Sequence, residues 1–156
     1  MNRVGHGFDM HGFTEDAGRV LRLGGVAFPG HAGLSGHSDA DVVAHAVTDA
    51  LLGAAGRGDI GEQFPDTDPG HAGADSIELL RAAVALVTQD GWTVENVDVT
   101  VVAESPQLSP RRDEMQERLR DAVGAPVSVK GKRAEGLGAL GRREGIACFA
   151  VALLHR

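Results

Sequence analysis

Asp9 and His11 stand two positions apart near the start of the chain, separated only by Met10. On an extended segment, residues i and i+2 project to the same side, so a carboxylate and an imidazole at this spacing can reach one ion. A third donor, His45, lies where apolar spacing predicts a helix. One aspartate and two histidines form an ordinary three-ligand set for catalytic zinc, leaving one coordination position for substrate. His45 also has Asp41 and Asp49 four residues to either side. A histidine so placed serves equally well in a hydrogen-bonded pair, and spacing alone leaves both roles open.

Other residues offer anion chemistry. Gly36-His37-Ser38-Asp39-Ala40-Asp41 precedes the predicted helix. Ser38 and Asp39 are good N-cap types. A helix N-terminus also presents free N–H groups to anions, and His37 and Ser38 can donate to a phosphate or a polyol hydroxyl. Gly58-Asp59-Ile60-Gly61 and Phe64-Pro65-Asp66-Thr67-Asp68 are built from turn residues, yet so many carboxylates can also hold hydroxyls or a metal. The last loop carries Lys130, Lys132, Arg133, Glu135, Arg142, Arg143 and Glu144, a basic cluster in a chain of net charge −7. Such a cluster is either a solvated edge or a phosphate site, because Arg and Lys make charge-assisted bonds to phosphate oxygens. These features together point to metal-assisted phosphate chemistry.

The elements that must position these groups follow from periodicity. Arg3–His6 reads as a short strand running into Gly7–His11, and Val20–Leu23 as a second strand stopped by Gly24-Gly25. Asp41–Ala55 has helical apolar spacing, with Asp41, His45, Thr48 and Asp49 on its polar face. Asp59–Ala74 reads as a loop, and Asp75 with Glu78 as the capping box of a helix to about Asp90. Trp92–Ala103 is a strand. Ser109-Pro110 is an N-cap and N1 pair for a helix to Val123. Val127–Lys130 and Ile146–Leu154 are the last strands, with one helical turn expected within 131–143. The predicted class is α/β, α+β-like: one domain over 1–156, with a small mixed sheet of four to five strands and helices on one face. The other face, apolar in Val97–Val102 and Ile146–Leu154, is left for other subunits, so an oligomer is expected.

Composition narrows the partners. At 156 residues, 42% hydrophobic and 24% charged, the chain is ordinary globular material. An acidic chain with 4% aromatics does not suit nucleic acid. No stretch approaches the roughly 20 apolar residues of a membrane span, and the N-terminus lacks a signal-peptide core. The single cysteine, Cys148, sits in an apolar run and reads as a buried hydrophobe. A cytoplasmic location is expected.

The segments Gly5–His11, Gly36–Val42, His45–Ala55, Gly58–Gly61, Phe64–Pro69, Asn96–Thr100 and Gly145–Cys148 together resemble the 2-C-methyl-D-erythritol 2,4-cyclodiphosphate synthases of the non-mevalonate isoprenoid pathway. The resemblance runs over the whole chain in family order. It implies a C3 homotrimer with active sites between subunits, zinc on Asp9, His11 and His45, and a second divalent ion, magnesium or manganese, on Glu135 and the substrate phosphates. It places the methylerythritol phosphate among Asp59, Ile60, Gly61, His37 and Ser38, with Phe64, Asp66 and Asp68 nearby. Ala103, Pro106, Gln107, Lys132, Arg133, Ala134 and Glu135 would line the cytidine and diphosphate side, and Arg142 would stand near the three-fold axis. The implied reaction is intramolecular attack of the 2-phosphate on the β-phosphate of a CDP group, releasing CMP, with His37 and Arg133 as the side chains touching the reacting groups.

The chain departs from the family pattern in four places. Lys132-Arg133-Ala134-Glu135 replaces a Thr-Thr-Thr-Glu-type run, so that Arg133 aligns with a phosphate-contacting threonine. Gln107 replaces a lysine. Gly141-Arg142-Arg143-Glu144-Gly145 replaces Gly-Arg-Gly-Glu-Gly, and Ala139 stands at a frequently aromatic position. The altered loop motivates an alternative: a non-catalytic trimeric protein that binds zinc and a nucleotide or isoprenoid diphosphate. A zinc phosphohydrolase ranks last, since no residue is marked as a general base for water.

Overall fold

Alternation along the first strand decides where the metal-binding types go. In the computed structural model, which describes Met1–Arg156, β1 spans Asn2–Gly12 and so takes in the whole Gly7–His11 segment as strand. Successive side chains point to opposite faces. Gly5, Gly7, Asp9 and His11 therefore share one face, and Val4, His6, Phe8 and Met10 the other.

β1 pairs antiparallel with β6 (Gly145–His155), and β6 pairs antiparallel with β4 (Thr93–Val102). β4 pairs in parallel with β5 (Val127–Lys132). The result is a mixed four-stranded sheet of order β1-β6-β4-β5, with β2 (Val20–Leu23) and β3 (Val26–Ala32) forming a separate hairpin. β3 was not expected. Pro29 and Gly30 interrupt its apolar run, and an edge position in a two-stranded ribbon tolerates both.

Helix α1 (Val42–Ala55) lies on the sheet with Val43, Ala46, Val47, Ala50 and Leu51 fully buried. It approaches β1 closely because the strand offers glycines. A Cβ at Gly7 would lie 1.8 Å from the carbonyl oxygen of Ala46, and one at Gly5 would lie 1.9 Å from that of Ala50. The N-cap of α1 is Asp41, not Ser38 or Asp39. Its carboxylate accepts from the N–H groups of Val43 and Ala44 at 3.1 Å each, and from Gly24 at 2.8 Å and Gly25 at 2.6 Å. The same side chain thus starts the helix and ties down the β2–β3 turn. Burial raises its carboxyl titration against the pull of those N–H groups. Thr48, expected on the polar face, is fully buried and donates to the carbonyl of Ala44 at 2.8 Å.

α2 (Ile60–Gln63) and a 3₁₀ turn at Pro69–His71 replace the expected loop. α3 (Ser76–Gln89) starts after Asp75, whose side chain accepts from the Ile77 N–H. α4 (Arg112–Val123) begins later than Ser109-Pro110 predicted, after Arg111 and with no side-chain cap; the Ser-Pro pair belongs to the preceding turn. α5 (Gly138–Gly141) is the single turn in the last loop. No helix is long and apolar enough to cross a membrane. Cys148 is buried, and burial pushes its thiol titration up.

The helices pack on one face of the sheet. Val97, Val99 and Val101 are fully buried there, so β4 gives Asp98, Thr100 and the half-buried Val102 to the open face. The apolar part of that face comes from β1 and β6: Phe8, Met10, Phe149 and Val151 are 41–54% exposed and Val4 is 69% exposed. Phe8 lies opposite Phe149 with ring centroids 5.0 Å apart.

Candidate metal centre and the cavities beside it

Beyond Gly7 the packing relaxes, and the side chains of Asp9 and His11 fill the space between strand and helix where His45 projects from the first turn of α1. The Asp9 Oδ2 atom lies 2.8 Å from His11 Nε2 and 3.0 Å from His45 Nδ1, and the two ring nitrogens are 3.3 Å apart. Donors on a tetrahedral zinc with ordinary bond lengths stand about 3.3 Å apart, so the three atoms fit one ion. Their chemistry agrees. His11 Nδ1 sits 2.8 Å from the carbonyl oxygen of Ser35, which only accepts, so Nδ1 carries the proton and Nε2 turns its lone pair inward. Acceptors converging this closely need a positive charge among them.

The titration of Asp9 and His11 agrees with this demand. Burial raises the Asp9 carboxyl, but once the facing ring nitrogens are protonated, hydrogen bonds and charge from His11 and His45 outweigh it and hold the group well below the usual carboxylate range. His11 is pushed up, first by its hydrogen bond to Asp9. The set therefore attracts a cation.

His45 is held from behind. Its Nε2 lies 2.8 Å from Ser76 Oγ and 3.0 Å from Ser38 Oγ. Ser38, expected to meet substrate, lines the cavity described below, but its hydroxyl faces His45 and the Ala40 N–H. Arg19 donates to the carbonyls of Gly36 and Ser38 and clamps the segment bearing His37. Asp49, four residues after His45, accepts from the Ile60 N–H at 2.8 Å and so sets α2 against the site.

A cavity of about 320 Å³ opens beside the triad. Asp9, His11 and His45 line it with His37, Ser38, Ile60, Gly61, Phe64 and Asp66, all from the expected set. His71 also lines it, with Nδ1 held 3.1 Å from the carbonyl of Pro65. A second cavity, of about 200 Å³, is lined by Ala103, Pro106, Gln107, Lys132 and Arg133. Arg112 joins these cations, and it was not singled out in the sequence because it lies in a helix of ordinary surface charge.

Within one chain the two cavities are separate. Asp59 and Asp68 line neither; they cap α2 and the 3₁₀ turn, accepting from Glu62 N–H at 2.9 Å and Gly70 N–H at 2.8 Å. Ala134, Glu135 and Arg142 also lie outside both. Arg142 pairs with Glu144 at 3.0 Å.

This frame matches known proteins along its whole length. The YgbB family model covers residues 2–155. The chain belongs to the YgbB family. A relative from Bordetella petrii, a 2-C-methyl-D-erythritol 2,4-cyclodiphosphate synthase, is 55% identical over 99% of this chain and 96% of its own length. Among solved structures, the bifunctional IspDF of Campylobacter jejuni superposes with TM-score 0.93 at 42% identity; this chain is covered to 99% but spans only 42% of that longer protein. The CDP complex of IspF from Plasmodium falciparum gives TM-score 0.85 at 34% identity, with 98% and 95% of the two chains covered. The chain is thus an enzyme of a synthase family. One departure from the family pattern now has a structural reading. Arg143, where glycine is usual, has φ 61°, a left-handed backbone that favours glycine.

Proposed function

We propose that the chain converts 4-diphosphocytidyl-2-C-methyl-D-erythritol 2-phosphate to 2-C-methyl-D-erythritol 2,4-cyclodiphosphate and releases CMP, a phosphorus–oxygen lyase reaction, with residues 1–156 acting as one catalytic domain. The observation that carries the reading is the convergence of Asp9, His11 and His45 on the wall of a cavity, in a chain 55% identical to a synthase of that name.

Zinc would be held by Asp9, His11 and His45. When bound, it supplies Lewis-acid polarisation and neutralises phosphate charge. The residues of this chain do the rest. Ile60, Gly61 and Asp66 hold the polyol, and His37 donates to its phosphate. Lys132 and Arg133, neither of them in an ion pair, meet the diphosphate; the planar fork of Arg133 suits two phosphate oxygens. Gln107, Pro106 and Ala103 line the nucleoside end. Glu135, with the substrate phosphates, would hold a magnesium or manganese ion. An oxygen of the 2-phosphate forms a bond to the β-phosphorus while the bond from β-phosphorus to the bridging oxygen breaks, and CMP leaves with that electron pair. Attacker and target belong to one molecule, so positioning supplies much of the acceleration and no protein nucleophile is needed.

Phosphorus NMR of the substrate with the zinc-loaded protein tests the reading. Cyclic diphosphate plus CMP is the expected result. An unchanged spectrum would favour the non-catalytic binding protein, and linear hydrolysis products the phosphohydrolase.

The assembly is proposed to be a cytoplasmic homotrimer. Support comes from the bare apolar face of β1 and β6, with Phe8, Met10, Phe149 and Val151 uncovered, and from the separation of the two cavities within one chain, which assembly would reunite across a subunit boundary. Light scattering should give three times the 16.2 kDa chain mass; a monomer in dilute solution would reject the assembly.

A further inference from the structure

The hydrogen bonds behind His45 run in one direction. Asp39 accepts from the Ser76 hydroxyl through Oδ1 and from the Ser76 N–H through Oδ2 at 3.1 Å. A carboxylate only accepts, so the single hydroxyl hydrogen of Ser76 is committed to Asp39. The Ser76 oxygen, 2.8 Å from His45 Nε2, is then left as an acceptor, and Nε2 must carry the ring proton. This leaves the Nδ1 lone pair facing Asp9 and His11.

The opposite outcome has its own driver. Asp9 Oδ2 lies 3.0 Å from His45 Nδ1 and would draw a proton to that nitrogen, blocking it as a ligand. Ser38 cannot settle the contest. Its hydroxyl, 3.0 Å from Nε2 and 3.4 Å from Ser76 Oγ, is free to donate or accept. Ser76 is fully buried, so water does not substitute for its partner.

We infer that Asp39, acting through the buried hydroxyl of Ser76, is a positioning residue that fixes the tautomer of His45 and so makes Nδ1 available to a divalent cation. The inference rests on the zinc reading of the triad given above. Neither residue touches the ion or the substrate. The arrangement follows the general logic by which a partner behind a ligating histidine selects its tautomer.

The test uses zinc alone, in competition with a chromophoric chelator, on the full chain. Asp39→Ala releases the Ser76 hydroxyl to donate to Nε2, and zinc affinity should fall about 10- to 100-fold. Ser76→Ala removes the competing donor, and alanine suits the first turn of a helix. The double variant should therefore bind no worse than Ser76→Ala alone. A merely structural loss would instead multiply in the double variant. Nitrogen–proton NMR of the ring supplies a second readout, with and without zinc. A protected Nε2 proton is expected for His45 and should shift or exchange faster in Asp39→Ala. Zinc affinity in Asp39→Ala within about 3-fold of the native chain, multiplying losses, or a His45 ring without an Nε2 proton would each overturn the inference. Should Asp39→Ala not fold, the ring spectra of the native chain and of Ser76→Ala decide it. A native chain that binds no zinc at all would reject the metal reading instead, and the metal-free spectrum would still decide the tautomer.

Discussion

Replacing His45 with alanine is expected to leave a folded chain that binds no zinc tightly and has almost no turnover. The side chain stands in the first turn of α1, on the wall of the cavity and partly exposed. Removing it leaves Asp9 and His11, two donors where a catalytic zinc ordinarily has three. Loss of affinity should exceed the roughly 10- to 100-fold that follows loss of a partner behind a ligand. A Lewis acid on a phosphoryl group is worth several kcal/mol, so turnover should fall about 10³-fold or more at 1.36 kcal/mol per decade. Two measurements separate this from misfolding. Zinc at 1,000 times its dissociation constant stabilises a folded chain by about 4 kcal/mol; the native chain should show that rise in unfolding temperature and the variant should not. The metal-free unfolding temperatures of the two chains should be close. One zinc per subunit in purified His45→Ala would sink the ligand assignment.

The triad was legible in the sequence because each member announces itself locally. Asp9 and His11 need only an extended backbone, and His45 only the helical period. The groups that hold the triad were not legible, because their partners are distant in sequence. Ser76 meets His45 across 31 residues and Asp39 across 37, and nothing around Ser76 distinguishes it from the first residue of a capped helix. The cap of α1 failed for a related reason. Ser38, Asp39 and Asp41 are all cap types within four positions, and the choice fell to Asp41 because the distant Gly24-Gly25 turn offers it two more N–H groups. The open sheet face was anticipated, and so was the apolar contribution of β6 through Phe149 and Val151, but not that of β1 or the burial of Val97, Val99 and Val101. Alternation shows that Val97, Val99 and Val101 share a face without showing which face the helices cover. The cavities show the same limit: Lys132 and Arg133 stood out as charge in an acidic chain, whereas Arg112 did not.

The contact that places His45 over Asp9 and His11 is also the most exacting in the fold. Gly7→Ala is expected to destabilise the chain by about 3 kcal/mol or more, the upper part of the range for overpacking. The added carbon would meet the Ala46 carbonyl oxygen at 1.8 Å and the Ala50 nitrogen at 2.8 Å. Both are backbone atoms of α1, so no side chain can turn aside. Either the helix rises off the strand or the strand bends. The first opens the alanine-lined seam of Ala46, Ala50 and Ala54 and leaves a gap in packing that has no slack. It also carries His45 away from Asp9 and His11, since all three are positioned by this one seam. The effect should appear twice: as a lower urea midpoint, large against a typical total stability of about 5–15 kcal/mol, and as weaker zinc binding in whatever fraction stays folded. Gly12→Ala is the control on the same strand, because a Cβ there meets nothing closer than 3.6 Å. It should shift neither measurement appreciably. Equal midpoints for Gly7→Ala and Gly12→Ala would show that α1 does not rest on β1 as closely as these distances require, and the placement of His45 would then need another cause.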